Sequence, residues 1–147
     1  MKIGIVGYQR HAGRHIKIIK EKICHENLLV FHPTKKSPEI TNLFTDLIET
    51  DCIIISSPTN THLFYIRKLI RCNYKGFVYL EKPGFSTLEE ASELERLQSQ
   101  SNLKITIGYH FPFEEKIKRL KQLINEDNVG EIISIDIVMS KGISYSQ

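Results

Sequence analysis

Arg10, His11 and Arg14 stand in a stretch bounded by glycines, Gly7-Tyr8-Gln9-Arg10-His11-Ala12-Gly13-Arg14, directly after the apolar run Ile3–Val6. A short buried strand, a glycine turn and then a helix bring unpaired N–H groups and the positive end of a helix dipole over one spot. That arrangement suits a phosphate or pyrophosphate. The stretch departs from the dinucleotide fingerprint Gly-x-Gly-x-x-Gly. Gln9 occupies the place of the second glycine, and Gly13 comes one residue after the place of the third. The sequence therefore predicts a longer, bulkier loop in which Gly7, Tyr8, Gln9, Arg10, Gly13 and Arg14 contact the anion, partly through side chains. A plain strand-to-helix connection is the other reading, and on these residues alone both stay open.

Three more stretches carry polar groups at the ends of apolar runs. After residues 27–31 (NLLVF) a dinucleotide-binding unit would place an acid that bonds the adenosine ribose; this chain has His32, then Pro33, Thr34, Lys35 and Lys36. An absent acid with lysines nearby fits a 2′-phosphate, hence NADP, better than a free 2′-hydroxyl; a solvated basic turn fits equally well. After residues 52–55 (CIII) come Ser56, Ser57, Pro58, Thr59 and Asn60. Open α/β sheets bind ligands at such strand ends, and helix capping accounts for only one or two of these groups. After residues 104–108 (KITIG) come Tyr109 and His110. Histidine titrates near neutrality, so His110 is a candidate acid–base group, with a packed loop histidine as the alternative. His11 and His15 lie four apart, a chelating spacing on a helix, but no third ligand is apparent and no metal is expected.

These residues need a scaffold, and the hydrophobic pattern supplies one. Apolar runs at 3–6, 27–31, 52–55, 77–80 and 104–108 read as strands covered on both faces. Between them lie helical patterns: about 12–24, with Ile16, Ile19 and Ile23 inward; one with Leu63, Ile66 and Ile70 inward; and about 87–100, with Leu88, Ala91, Leu94 and Leu97 inward. A last helix runs through Ile117, Leu120 and Ile124. Residues 34–50 are too interrupted for a full crossover helix, giving a short strand from Ile40 and a helical turn from Phe44. Strands alternating with helices predict an α/β, Rossmann-type, doubly wound parallel sheet over residues 1–130. Residues 131–140 alternate Ile133, Ile135, Ile137 and Met139 on one face and predict an amphipathic strand, with residues 131–147 a stub of something further.

Bulk composition narrows the partners. The 20 basic residues are spread among 17 acids for a net charge of +3, which excludes the concentrated basic face of a nucleic-acid binder. The apolar runs are too short for a membrane span or signal peptide. Cys24, Cys52 and Cys72, odd in number and widely spaced, read as buried or half-buried thiols of a cytoplasmic protein.

Taken together, these stretches resemble the glucose–fructose oxidoreductase/inositol dehydrogenase family, Gfo/Idh/MocA. The opening MKIGIVGY with its later Gly-Arg-His is similar to the family's nucleotide turn. Ser57-Pro58-Thr59-Asn60-Thr61-His62 resembles its strand-end Pro–Asn–His stretch, and Glu81-Lys82-Pro83 its most specific hallmark. Gly108-Tyr109-His110 and the run from 116 to 135 resemble its bridge into a second domain. The resemblance covers nearly the whole chain but only the family's N-terminal half.

The resemblance implies an NAD(P)-dependent oxidoreductase acting on a sugar, sugar derivative or polyol, with NADP or NAD as cofactor. It adds His62 and Glu81 to the cofactor-side residues His32, Lys35, Ser57, Pro58, Thr59 and Asn60. It makes Lys82 the residue beside nicotinamide and substrate that orients the substrate or assists proton transfer, and a salt-bridged surface lysine is the alternative. The family's substrate domain is expected to be missing. Catalysis is then expected to need a homodimer or a partner chain, joined through residues 131–140, whose apolar face a lone strand cannot bury. A non-catalytic Rossmann module, binding a nucleotide or serving in assembly, is the alternative function.

Overall fold

The computed structural model describes residues 1–23, 27–126 and 130–138. Two compact units divide at Tyr109/His110. The first holds a six-stranded, all-parallel sheet: β1 (Ile3–Val6), β2 (Leu28–Phe31), β3 (Ile40–Thr41), β4 (Cys52–Ile55), β5 (Phe77–Leu80) and β6 (Lys104–Ile107), in the order β3-β2-β1-β4-β5-β6. β1 is central, with Ile3 level with Leu28 on one side and Cys52 on the other. Every residue of β1 is buried, as a strand covered on both faces must be.

Helix α1 (Arg10–Lys22) covers one face, where Ile3 and Ile5 pack with Ala12 and Ile19. Helices α2 (His62–Arg71) and α3 (Leu88–Ser99) serve the other, where Val6, Ile53, Ile55, Val78 and Leu80 meet Leu63, Ile66, Leu69 and Leu94. The 3₁₀ segment Phe44–Glu49 adds Phe44 and Leu47 to that core, replacing the crossover helix that residues 34–50 are too interrupted to form. This is the doubly wound α/β architecture expected from the sequence, with the sheet order reversing on either side of the β1/β4 boundary.

Several local expectations need correction. α1 begins at Arg10, not near Ala12, and ends at Lys22; Ile23 lies beyond it and is exposed, while Cys24 falls outside the described residues. Leu88, expected inward, is 80% exposed because it is the first residue of α3; Thr87 caps that helix by accepting from the Glu90 N–H at 3.3 Å, and the inward stripe starts a turn later. On α2 the fully buried residue near the end is Leu69, with Ile70 half-buried.

The second unit contains the 3₁₀ turn Phe111–Phe113 and helix α4 (Glu115–Asn125). The strand expected over 131–140 is not formed among the described residues 131–138: a strand exists only in a ladder, and this segment has no partner backbone. Ile133 is 96% exposed, and Ile135 and Ile137 are exposed too; Met139 lies outside the described residues. Among the described residues, no helix is long and apolar enough to cross a membrane.

Candidate functional site

The crevice between β1 and β4 opens where the strand order reverses, which is where this class of sheet binds ligands. Gly7 leaves β1 at φ +115°, a conformation closed to other residues, and a Cβ there would sit 2.9 Å from the Ser56 carbonyl oxygen at the end of β4. Gly7 is therefore required by both conformation and space. Gln9 follows as the N-cap of α1 without a side-chain bond to the helix. Its carbonyl accepts the first helical bond, from Gly13 N–H at 3.1 Å. The opening N–H groups of α1 thus have no partner within the helix, and no acid stands in the first turn to oppose an anion.

The predicted longer loop is absent. The helix starts immediately after Gln9, so Ala12 occupies the third small position of the fingerprint, fully buried against β1. Gly13, expected in the anion-contacting loop, is an exposed residue of the helix, and a Cβ there would meet nothing within 4 Å; the close packing at the third position rests on Ala12. Alanine and glycine at that position serve the same end, close approach of helix to strand.

A cavity of about 230 Å³ lies in the crevice, lined by residues from three strand ends: Gly7, Tyr8 and Gln9 after β1, His32 and Pro33 after β2, and Ser56, Ser57 and Pro58 after β4, with Thr61 and Tyr65 closing it. The Ser56 hydroxyl is buried, and among the described residues it has no hydrogen-bond partner. A buried orphan hydroxyl costs free energy unless something bonds to it. With the glycine cradle and the open helix end, it fits the residues present to a phosphate-bearing ligand. At the mouth, the Lys35 ammonium sits 4.0 Å from the centre of the Tyr8 ring.

The end of β5 is built differently. Glu81 is held from both sides: Oε1 accepts from His15 Nε2 at 2.6 Å, and Oε2 accepts from the Lys82 N–H at 3.0 Å. His15 comes from α1, one turn beyond its first residues, and its ring meets Tyr79 edge-on at 5.7 Å. Burial, and then the Glu81 carboxylate, push the Tyr79 hydroxyl above its ordinary pKa. Lys82 is exposed, and among the described residues its ammonium has no ion-pair or hydrogen-bond partner. His62, 1% exposed, bridges the crevice wall to the loop after Lys82: Nε2 lies 3.0 Å from the Ser57 carbonyl oxygen and Nδ1 3.2 Å from that of Gly84.

The sequence profile of the GFO_IDH_MocA oxidoreductase family, an NAD-binding Rossmann fold, matches residues 1–109, the whole of the first unit. The chain belongs to that family. Oxidoreductase P35 of Formosa agariphila is 32% identical over 94 residues, covering 62% of this chain and 29% of that protein. Glucose-6-phosphate 3-dehydrogenase of Bacillus subtilis is 25% identical over 150 residues, covering 95% of this chain and 42% of that one. Apo scyllo-inositol dehydrogenase from Lactobacillus casei superposes with a TM-score of 0.72 at 25% identity, covering 89% of this chain and 43% of that structure. The chain spans well under half the length of these relatives. As a Gfo/Idh/MocA chain it carries the family's NAD-binding fold, and its cofactor is a nicotinamide dinucleotide, NAD or NADP.

Of the cofactor-side residues expected from sequence, Gly7, Tyr8, Gln9, His32, Ser57 and Pro58 come together around the Gfo/Idh/MocA cleft. Arg10 and Arg14 are exposed on α1, and Thr59 and Asn60 lie in the 3₁₀ turn Thr59–Thr61 outside the cavity lining. His62 and Glu81 stand behind the surface, holding other groups. His110 begins the second unit, exposed, its ring against Phe111 and its Nε2 3.7 Å from Glu114 Oε1. Sequence reasoning missed His15 as the partner of Glu81. The two residues are 66 positions apart, and only the superposition of α1 on β5 brings them together. It also missed Thr61 and Tyr65 as cavity walls.

Proposed function

We propose that this chain is the cofactor-binding part of an NAD(P)-dependent oxidoreductase that acts on a secondary hydroxyl of a sugar, sugar derivative or cyclic polyol, with Lys82 as the proton-handling group. The observation that carries this reading is the end of β5: Glu81 is clamped by His15 and by the Lys82 N–H, while the Lys82 ammonium is left unpaired. That arrangement fixes the backbone of a lysine and leaves its charged end for a ligand. The named activities of the Bacillus and Lactobacillus relatives, on glucose 6-phosphate and scyllo-inositol, suggest the substrate class.

The cofactor supplies the hydride acceptor. Gly7 and the first turn of α1 hold its anionic groups, and His32 and Tyr8 meet the nucleotide end. Lys82 Nζ, as the ammonium, donates a hydrogen bond that orients the substrate oxygen, or, as the neutral amine, accepts the hydroxyl proton; His110 is the second candidate to take that proton. Such chemistry needs reacting atoms held within near-contact distance and away from bulk water. The exposed apolar residues Ile133, Ile135 and Ile137, flanking a cavity of about 460 Å³ with Leu120 and Ile124, suggest that a second copy or a partner chain covers this unit. The half-buried free thiols Cys52 and Cys72 fit a reducing compartment, the cytoplasm.

Titration with NADH and NADPH, followed by a sugar and polyol panel, tests the reading. Binding with little turnover by this chain alone is the expected result. Absence of binding to both at millimolar concentration removes the function. Where turnover is reached, with or without a partner, Lys82→Ala should abolish it while cofactor affinity holds; a fully active variant removes the role of Lys82.

A further inference from the structure

We propose that His32 is the specificity-determining residue of the cleft and selects a dinucleotide carrying a 2′-phosphate, an inference that rests on the cofactor reading above. At the end of the second strand of such a unit an acid ordinarily accepts hydrogen bonds from the ribose hydroxyls. Here the position holds an imidazole whose proton is assigned by its own turn. His32 Nδ1 accepts from the Lys35 N–H at 2.9 Å and from the Thr34 N–H at 3.3 Å. A ring nitrogen that accepts cannot carry a proton, so the neutral ring keeps its hydrogen on Nε2. Among the described residues Nε2 has no partner, and His32 lines the cavity.

The turn that sets this orientation is itself pinned. The Asn42 side chain donates to the His32 carbonyl at 2.6 Å and to the Lys35 carbonyl at 3.0 Å, and the His32 N–H donates to the Thr41 carbonyl at 3.1 Å. The ring therefore offers a donor where a carboxylate would offer only lone pairs. A phosphate monoester is rich in acceptors and negatively charged, so a donor edge matches it and a carboxylate repels it. Lys35 adds charge at the same end: its ammonium is held over the Tyr8 ring, and Tyr8 is part of the cavity wall. Among the described residues, none that lines the cavity is acidic.

A purely structural role for His32, as acceptor for its own turn, predicts a different result. Asparagine also supplies an acceptor for such a turn, yet has no group at the place of Nε2. The test is the ratio of dissociation constants for NADH and NADPH, measured by calorimetry on the full chain and on His32→Asn and His32→Asp. The parent is expected to bind NADPH roughly ten- to a hundredfold more tightly. His32→Asn should bring the ratio most of the way toward one, and His32→Asp should favour NADH. A parent ratio within about threefold of one, or a ratio unchanged in both variants, overturns the role of His32 while leaving the dinucleotide reading intact. Failure of both nucleotides to bind overturns that reading as well. If a variant does not fold, nitrogen NMR of the parent decides: His32 Nδ1 must resonate as unprotonated, and Nε2 must shift when 2′-AMP is added but not 5′-AMP. A protonated Nδ1, or no difference between the two nucleotides, also overturns the proposal.

Discussion

Replacing His15 with alanine removes a side chain that ties α1 to the end of β5. The variant loses the 2.6 Å bond from Nε2 to Glu81 Oε1 and the edge contact with Tyr79, and leaves Glu81 with only the Lys82 N–H. A hydrogen bond to a charged group contributes about 1.5–3 kcal/mol when well buried. The side chains here are 23% and 14% exposed, so water replaces part of the loss and the figure falls to about 1–2 kcal/mol. The edge contact adds about 0.5 kcal/mol, and alanine, the better helix former, returns about as much. The expected net loss is about 1–2 kcal/mol, read as a fall in the urea midpoint of roughly 0.5–1 M for a chain this size. A double-mutant cycle with Glu81→Ala should give a coupling near 1 kcal/mol, since the residues are in direct contact. A loss under about 0.5 kcal/mol, or additive effects in the cycle, would refute the claim that this pair anchors the Glu-Lys-Pro stretch.

Two glycines six residues apart should respond in opposite directions. Gly7→Ala, at φ +115° and with its Cβ 2.9 Å from a backbone oxygen that cannot rotate away, should cost about 2–4 kcal/mol and weaken dinucleotide binding. Gly13→Ala, inside α1 with open space around it, should stabilise by about 0.5–1 kcal/mol; equal shifts in urea midpoint would show the fingerprint assignment to be mistaken. Against a smaller opposing effect of the Thr50 side chain, burial pushes the Tyr74 hydroxyl up to about 12. Its contribution is complete below pH 10, where both states are neutral. It is lost between about pH 10 and 12, where the unfolded chain ionises first, by at most about 2–3 kcal/mol. Tyr74→Phe should match the parent at neutral pH and lose less stability across that alkaline window, and identical curves would contradict the assignment. Ile135→Asp should shift the chain toward monomer in scattering or sedimentation if the exposed apolar segment is an interface; a monomeric parent would remove that idea.

Strand and helix identities in the first unit were legible because they depend on local pattern. A run such as Cys52–Ile55 or Phe77–Leu80 is too apolar for anything but a strand covered on both faces, and Thr87 and Gln100 bound their helix by capping chemistry that acts within a few residues. The six parallel strands, the reversal of their order and the crevice at β1/β4 follow from alternating strands and helices with right-handed crossovers. Gly7, Tyr8, Gln9, His32, Ser57 and Pro58, which line the cavity, were legible for the same reason: each sits at the end of a recognisable strand. The third fingerprint position was misread because Gly13 looks special in sequence, whereas Ala12 is special only when packed on β1. The strand at 131–140 was inferred from alternation alone, and alternation cannot supply the ladder a strand requires. Contacts that join distant segments were beyond any local reading: His15 to Glu81 across 66 positions and His62 to Gly84 across 22. Local chemistry determined which elements form and which strand ends line the crevice. Tertiary packing alone decided which polar side chains meet, because hydrogen bonds act over about 3 Å and sequence carries no distance.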